Sequence, residues 1–316
     1  MANATGMAAV ETATAIDPYQ AAEQELWRAY GLEPVERWVD LHEPAVRIRV
    51  LDIGSGDPVV FIGGTGGTGA AWAPLVAGLP DRRSIVVDRP GWGLSGSVDY
   101  RGADFGTLVA RIVEGVLDGL DLERVDLVGA SIGGLWALHA ARRIPARVGR
   151  LVLIGGMPNR DVPLPTFIKL LRSPLGAVMV RLPMGPGMIR KQLEALGHGA
   201  TLSRGGMSDY IAWRLAFQRG TDSMAHERDM VRAITTADGF RPGVLPSDAE
   251  QRDVRQPTLV VFGSSDPTGS TELWQRFAGQ LPDGSFHVVE GGGHNPYWDA
   301  PSEVSQLVGR FLAGVR

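Results

Sequence analysis

Short, unbroken apolar runs alternate with amphipathic stretches along most of this 316-residue chain, at 59–62, 84–87, 125–128, 151–154, 258–262 and 286–289. A strand covered by helices on both faces has no polar side to present, so it reads as continuously apolar. The six runs therefore predict parallel strands of a doubly wound sheet. Two earlier runs, 37–41 and 46–53, predict a hairpin, the second alternating as a half-exposed strand should. Residues 54–58 predict a turn. Ahead of them, Asp17-Pro18 predicts a helix start, an N-cap followed by proline at the first helical position, with the helix running to about Tyr30.

One region breaks the alternation. From about Met157 to Gly243 no strand pattern occurs, and helical stretches at 166–181, 187–196, 206–219 and 222–235 take its place, separated by Pro and Gly. The expected organisation is a core built from 17–156 and 241–316, with a helical insertion, 157–240, between the sixth and seventh of eight strands. Residues 1–16 are small and polar, and predict a disordered N-terminus.

Composition narrows the chemistry. There is no cysteine, which removes disulfides, thiolate catalysis and Cys-based metal sites. A net charge of −4 with scattered Arg gives no clustered basic excess of the kind nucleic acid selects. No apolar run is long enough to span a bilayer, so no membrane partner is expected, and the first residues lack a signal-peptide pattern. The expected location is cytoplasmic.

The strongest local signal is Gly129-Ala-Ser131-Ile132-Gly133, entered from an apolar run and followed by a helical stretch. A serine on a sharp strand-to-helix turn stands above the sheet edge, and the small neighbours allow the tight turn. The N–H groups that follow point at developing negative charge. A hydroxyl is a poor nucleophile without a base. Of six histidines, His294 alone sits in a glycine loop, Gly291 to Gly293, past the end of the last strand. His139 reads as packing, and His198 and His226 as surface or packing residues of the insertion. Asp266, in Ser264-Ser265-Asp266-Pro267 after the seventh strand, is the candidate to orient His294, whereas Asp126 begins a strand at the wrong edge of the sheet. The oxyanion hole is assigned to the backbone N–H groups of Ile132 and of Thr65, in the glycine-rich loop Gly63-Gly64-Thr65-Gly66-Gly67. That loop lacks the ending of a phosphate-binding P-loop.

These motifs resemble the α/β-hydrolase superfamily. The likeness covers roughly 35–156 and 240–316, through the oxyanion loop from Gly63 to Trp72, Asp88-Arg-Pro-Gly-Trp-Gly-Leu-Ser95, the Ser131 elbow, and Gly293-His294-Asn-Pro with Asp266 upstream. It implies the α/β-hydrolase fold, a mostly parallel eight-stranded sheet with helices on both faces. It further implies a helical cap inserted after strand 6, a structural role for the Asp88 motif, and a serine hydrolase needing no cofactor. Of three departures, the first bears on the shape of the oxyanion loop and the other two on the reaction. The family usually has His-Gly where this chain has Gly63-Gly64. Serine rather than aspartate at the elbow argues against haloalkane dehalogenases and epoxide hydrolases. His294 is followed by Asn295, not by the Trp common in C–C hydrolases of meta-cleavage products.

Seven of the nine methionines fall at or beyond Met157 and within the insertion, with Phe167, Tyr210, Trp213 and Phe217. Methionine adapts to irregular apolar shapes. The expectation is an apolar cap underside and a hydrophobic small-molecule substrate, with Gly64, Trp92, Trp136, Phe167, Trp213 and Trp298 as lining candidates. Packing of the cap on the core is the competing reading for the aromatics. The leading expectation is an ester or lactone hydrolase working through an acyl-enzyme. The alternatives are a C–C bond hydrolase, a cofactor-free haloperoxidase or perhydrolase, an acyl transferase, or a receptor-like homologue that only holds its ligand.

Overall fold

A computed structural model describes residues 17–182 and 184–315; the N-terminal expectation for 1–16 lies outside the described residues. Helix α1 (Pro18–Ala29) starts where Asp17 accepts the Tyr19 N–H at 2.8 Å. The strands are β1 (Val35–His42), β2 (Ala45–Ile53), β3 (Asp57–Ile62), β4 (Arg82–Val87), β5 (Val125–Ala130), β6 (Val148–Ile154), β7 (Thr258–Gly263) and β8 (Gly284–Val289). The core helices are α2 (Ala73–Val76), α3 (Phe105–Gly119) and α4 (Ile132–Arg143). Between β6 and β7 lie α5 (Thr166–Arg172), α6 (Pro174–Met179), α7 (Pro186–Leu193), α8 (Gly199–Ser203), α9 (Ser208–Gly220), α10 (Ser223–Ile234) and α11 (Asp248–Arg252). Helices α12 (Thr271–Gln280) and α13 (Pro301–Leu312) complete the chain.

The sheet order is β1-β2-β4-β3-β5-β6-β7-β8. The pairs β1–β2 and β2–β4 are antiparallel and the rest parallel. Alternate residues of the central strands feed two cores. Val60, Ile62 and Leu127 pack with α3 and α4, while Val59, Phe61 and Val128 pack with α1, α2 and α13. That is the physical reason for the unbroken apolar runs, each buried side chain contributing about 1.5–3 kcal/mol.

Two local expectations need correction. Helix 166–181 is two helices, because Ser173 accepts the Gly176 N–H and Pro174 starts a new first turn. Asp57 and Pro58 belong to β3 rather than to the preceding turn. Asp248 is exposed at the start of α11, which Ser247 and Glu250 cap with reciprocal bonds.

Strand order reverses around β3, since the chain leaves β4 on one side of it and returns as β5 on the other. A crevice opens beyond the strand ends at such a reversal. The loop after β3 and the turn after β5 both end there.

Candidate active site

Ser131 sits between β5 and α4 with φ 54° and ψ −125°, a conformation costly for any residue with a Cβ. Its N–H donates to Ile154 O at 3.1 Å, fixing it to the end of β6. The turn depends on missing side chains. A Cβ at Gly133 would lie 2.0 Å from Ile62 O, and one at Gly64 would lie 2.7 Å from the Ser131 Cβ. Gly64 therefore places the loop after β3 directly against the serine, and Ile132 is the first residue of α4.

Asp266 follows β7 and is buried. Its carboxylate accepts the Gly156 N–H at 2.8 Å, the Thr268 N–H at 2.9 Å and the Thr268 hydroxyl at 2.6 Å. It also pairs with His294 Nδ1 at 2.9 Å. The His294 N–H donates to Leu196 O at 2.8 Å, and Gly155 abuts the His294 backbone and ring. The ends of β5, β6, β7 and β8 thus bring Ser131, Asp266 and His294 to one rim of the sheet. Among the described residues Ser131 Oγ has no hydrogen-bond partner, so the imidazole is not closed onto it; such contacts commonly tighten only around bound substrate.

Burial disfavours a charged His294, but the Asp266 charge and hydrogen bond outweigh it and raise the imidazole above its ordinary 6.5. For Asp266, burial acts upward and is overcome by the charge and hydrogen bonds of His294, Thr268 and Gly156, leaving it below 3.8. Each group holds the other in its charged form.

The loop carrying Thr65 is clamped from α10. The Thr65 hydroxyl donates to Glu227 at 2.5 Å, Trp92 Nε1 donates to the same carboxylate at 2.6 Å, and Arg89 Nη2 lies 3.5 Å from it. Arg89 also donates to Gly63 O at 2.8 Å, and Tyr210 OH to Gly66 O at 3.0 Å. Glu227, Arg89 and Trp92 are all buried. Beside them lies Arg214 of α9. It is 3% exposed, its guanidinium is 5.0 Å from the Phe217 ring centre, and Nη1 has no hydrogen-bond partner among the described residues. A Cβ on Gly66 would sit 3.0 Å from its Nη2. Burial pulls this guanidinium below its ordinary value, against the neighbouring charge of Glu227.

The aromatic lining candidates have occupations of their own. Trp92 stacks on Phe217 at 5.6 Å, and Trp213 is enclosed between Tyr210 and Phe217. Trp136 meets Phe105 edge-on beneath the Arg89 cation, and Trp298 packs on Tyr210. Phe167 is half-buried on α5. A cleft of about 1010 Å³ runs between residues 97–105 and α10, and none of Ser131, Asp266 and His294 lines it. His139 bonds Val244 O, and His198 bonds Asp299, which also accepts the Gly293 N–H. His198 thereby braces the loop that presents His294.

Arg214 and Glu227 escaped the motif search, yet each carries a sequence signal. Tyr210, Trp213, Arg214 and Phe217 form one buried stripe at helical spacing, and so do Glu227, Met230, Val231 and Ile234. A charge inside an apolar stripe is buried and needs a partner or a ligand.

A family model described as "Alpha/beta hydrolase family" matches residues 59–307. A 2-hydroxy-6-oxononadienedioate/2-hydroxy-6-oxononatrienedioate hydrolase of Paraburkholderia phymatum is 31% identical over 87% of this chain and 95% of its own length. A 2-hydroxy-6-oxo-2,4-heptadienoate hydrolase of Pseudomonas putida is 32% identical over 85% and 93%. Among solved structures, the Bacillus subtilis carboxylesterase CesB aligns with a TM-score of 0.70 at 19% identity, covering 94% of this chain and 98% of that one. A meta-cleavage product hydrolase of Pseudomonas fluorescens aligns at 0.67 and 21%, covering 88% and 97%.

Proposed function

The chain belongs to the α/β-hydrolase family, and on that premise we propose that it hydrolyses the carbon–carbon bond beside a ketone in a small, carboxylate-bearing oxo-dienoate. This moves the C–C alternative ahead of the ester. The observation that carries it is Arg214, a buried cation with an unpartnered N–H beside the Thr65 loop. An ester of an uncharged apolar acid has no use for such a group, whereas a substrate carboxylate would satisfy it. The names of the two curated relatives given above, both oxo-dienoate hydrolases, agree with that charge.

In this reading Ser131, His294 and Asp266 form a catalytic triad, and 157–240 is a cap whose helices α9 and α10 close over it. His294 takes the Ser131 proton as Oγ attacks the ketone carbon. The N–H groups of Ile132 and Thr65 hold the resulting oxyanion. The substrate's 2-hydroxyl proton must by then have moved to the carbon beside the ketone, leaving a 2-oxo-enoate in which that carbon is saturated. When the oxyanion collapses, the C–C bond breaks, its electron pair enters the 2-oxo-enoate as a dienolate, and His294 returns the proton to that fragment. Arg214 offsets the negative charge on the departing dienoate. Water, deprotonated by His294, then releases the acyl group from Ser131 as a carboxylic acid.

The test pairs a chromogenic oxo-dienoate with a p-nitrophenyl ester. Ser131→Ala should lower turnover of both by at least about a thousandfold. Arg214→Gln should raise KM or lower kcat for the dienoate at least about tenfold while sparing the neutral ester. An enzyme that cleaves the ester but leaves the dienoate intact would instead establish the ester reading, which Asn295 in place of the Trp common in C–C hydrolases favours.

A further inference from the structure

We propose that the α5–α7 face of the insertion docks on an anionic phospholipid surface. Residues 162–193 hold five basic side chains, Lys169, Arg172, Arg181, Arg190 and Lys191, and no acidic one. Outside this segment the chain carries 26 basic residues against all 35 of its acidic ones. None of the five cations makes an ion pair among the described residues, and all but the half-buried Arg172 are exposed.

The same segment carries the apolar exposure. Of eight exposed large hydrophobic residues among those described, Leu175, Val178, Met179, Leu182 and Met188 fall here. Helical turns continue past α6, through Val180 N–H to Gly176 O, Arg181 N–H to Val178 O and Leu182 N–H to Met179 O. Leu175, Val178, Met179 and Leu182 therefore repeat at i, i+3, i+4 and i+7 and share one outward face, while Gly176 packs inward on the Leu170 and Leu171 carbonyls. An exposed apolar stripe flanked by unpaired cations has the chemistry of an interfacial helix, in which apolar side chains enter the headgroup boundary and basic ones meet anionic lipid.

A second copy of the chain is the less suitable occupant. A two-fold contact through this face would set the five cations against the same five. That no helix among the described residues is long and apolar enough to cross a bilayer bears on spanning alone.

The experiment is co-sedimentation of the full-length protein with vesicles of phosphatidylcholine alone and with about 30% phosphatidylglycerol, at low and high salt. Binding should require the anionic lipid and fall at about 0.5 M salt. Lys169→Gln with Arg181→Gln and Lys191→Gln should weaken it about five-fold per charge. Leu175→Ser with Leu182→Ser should weaken it at least tenfold, with melting temperature and turnover of a water-soluble substrate unchanged in both variants. Equal binding to neutral and anionic vesicles, no binding to either, or anionic binding indifferent to both sets of substitutions overturns the proposal. So does self-association in lipid-free solution that the same substitutions abolish, which would assign the face to a second copy.

Discussion

His294 lies between two opposed influences, and pH separates them. Its imidazole is raised above 6.5 because the charge and hydrogen bond of Asp266 together outweigh the burial that opposes them. In its proposed role as base it would work only when neutral, so the acid limb of kcat/KM should have a midpoint above 6.5. Asp266→Asn leaves the burial and removes the charge, so that limb should move below 6.5 while kcat falls about 10³–10⁴-fold. A pH–rate profile of the two proteins checks both. Stability runs the other way. A raised histidine contributes fully below about 6.5 and loses that contribution as pH rises through its folded value, whereas the lowered Asp266 contributes above 3.8 and is lost as pH falls through its own. The Ser131 turn admits an equally local test. With Ile132 at the head of α4 and Gly133 packed on Ile62 O, Gly133→Ala should shift the turn, costing at least about 2 kcal/mol and most of the activity, read by urea unfolding and turnover.

At the level of elements, α10 joins the insertion to the loop after β3 through a single carboxylate. Glu227 receives Thr65, Trp92 and Arg89 together, all three of them from the core. Glu227→Ala would leave Arg89 and Arg214 without the nearby negative charge and should cost about 3–5 kcal/mol. Glu227→Gln keeps an acceptor for Thr65 or Trp92 and should lose less stability. If the clamp positions the Thr65 N–H, both variants should lower kcat more than they raise KM, with Gln the milder. Equal melting temperatures for wild type and Glu227→Ala would refute the clamp. How far such elements are legible in sequence depends on period. Strands β3 to β7 are readable because burial on both faces imposes apolar runs, whereas β8, a half-exposed edge strand, shows through its Val288-Val289 end. Helices α8 and α11 were missed because five residues are too few to show a stripe. The division of 166–181 was hidden because its apolar spacing passes straight through Pro174.

Across the whole molecule, a buried ionic network fastens α1 to the sheet. Arg49 of β2 bonds Glu23 at 2.7 Å, Glu36 at 2.6 Å and Asp88 at 3.3 Å, and Tyr19 donates to Glu23. Burial pushes the Glu23 carboxyl up, the Arg49 cation opposes it, and the surrounding carboxylates raise Arg49 itself. Arg49→Met should destabilise the protein by about 3–5 kcal/mol in chemical denaturation, because it strands two buried carboxylates. Little change would mean that the network is spent on specificity rather than stability. Sheet, elbow and the chain order of Ser131, Asp266 and His294 could be read from residues in a row, since a strand's pattern and a turn's glycines answer to immediate neighbours. The partners of Glu227 and the exposure of Arg214 to the Thr65 loop could not. Thr65 and Glu227 stand 162 residues apart, and whether a buried charge is paired or left open is decided by which helix packs against which loop. That choice belongs to the closed core, where desolvation makes each missing partner costly enough to matter.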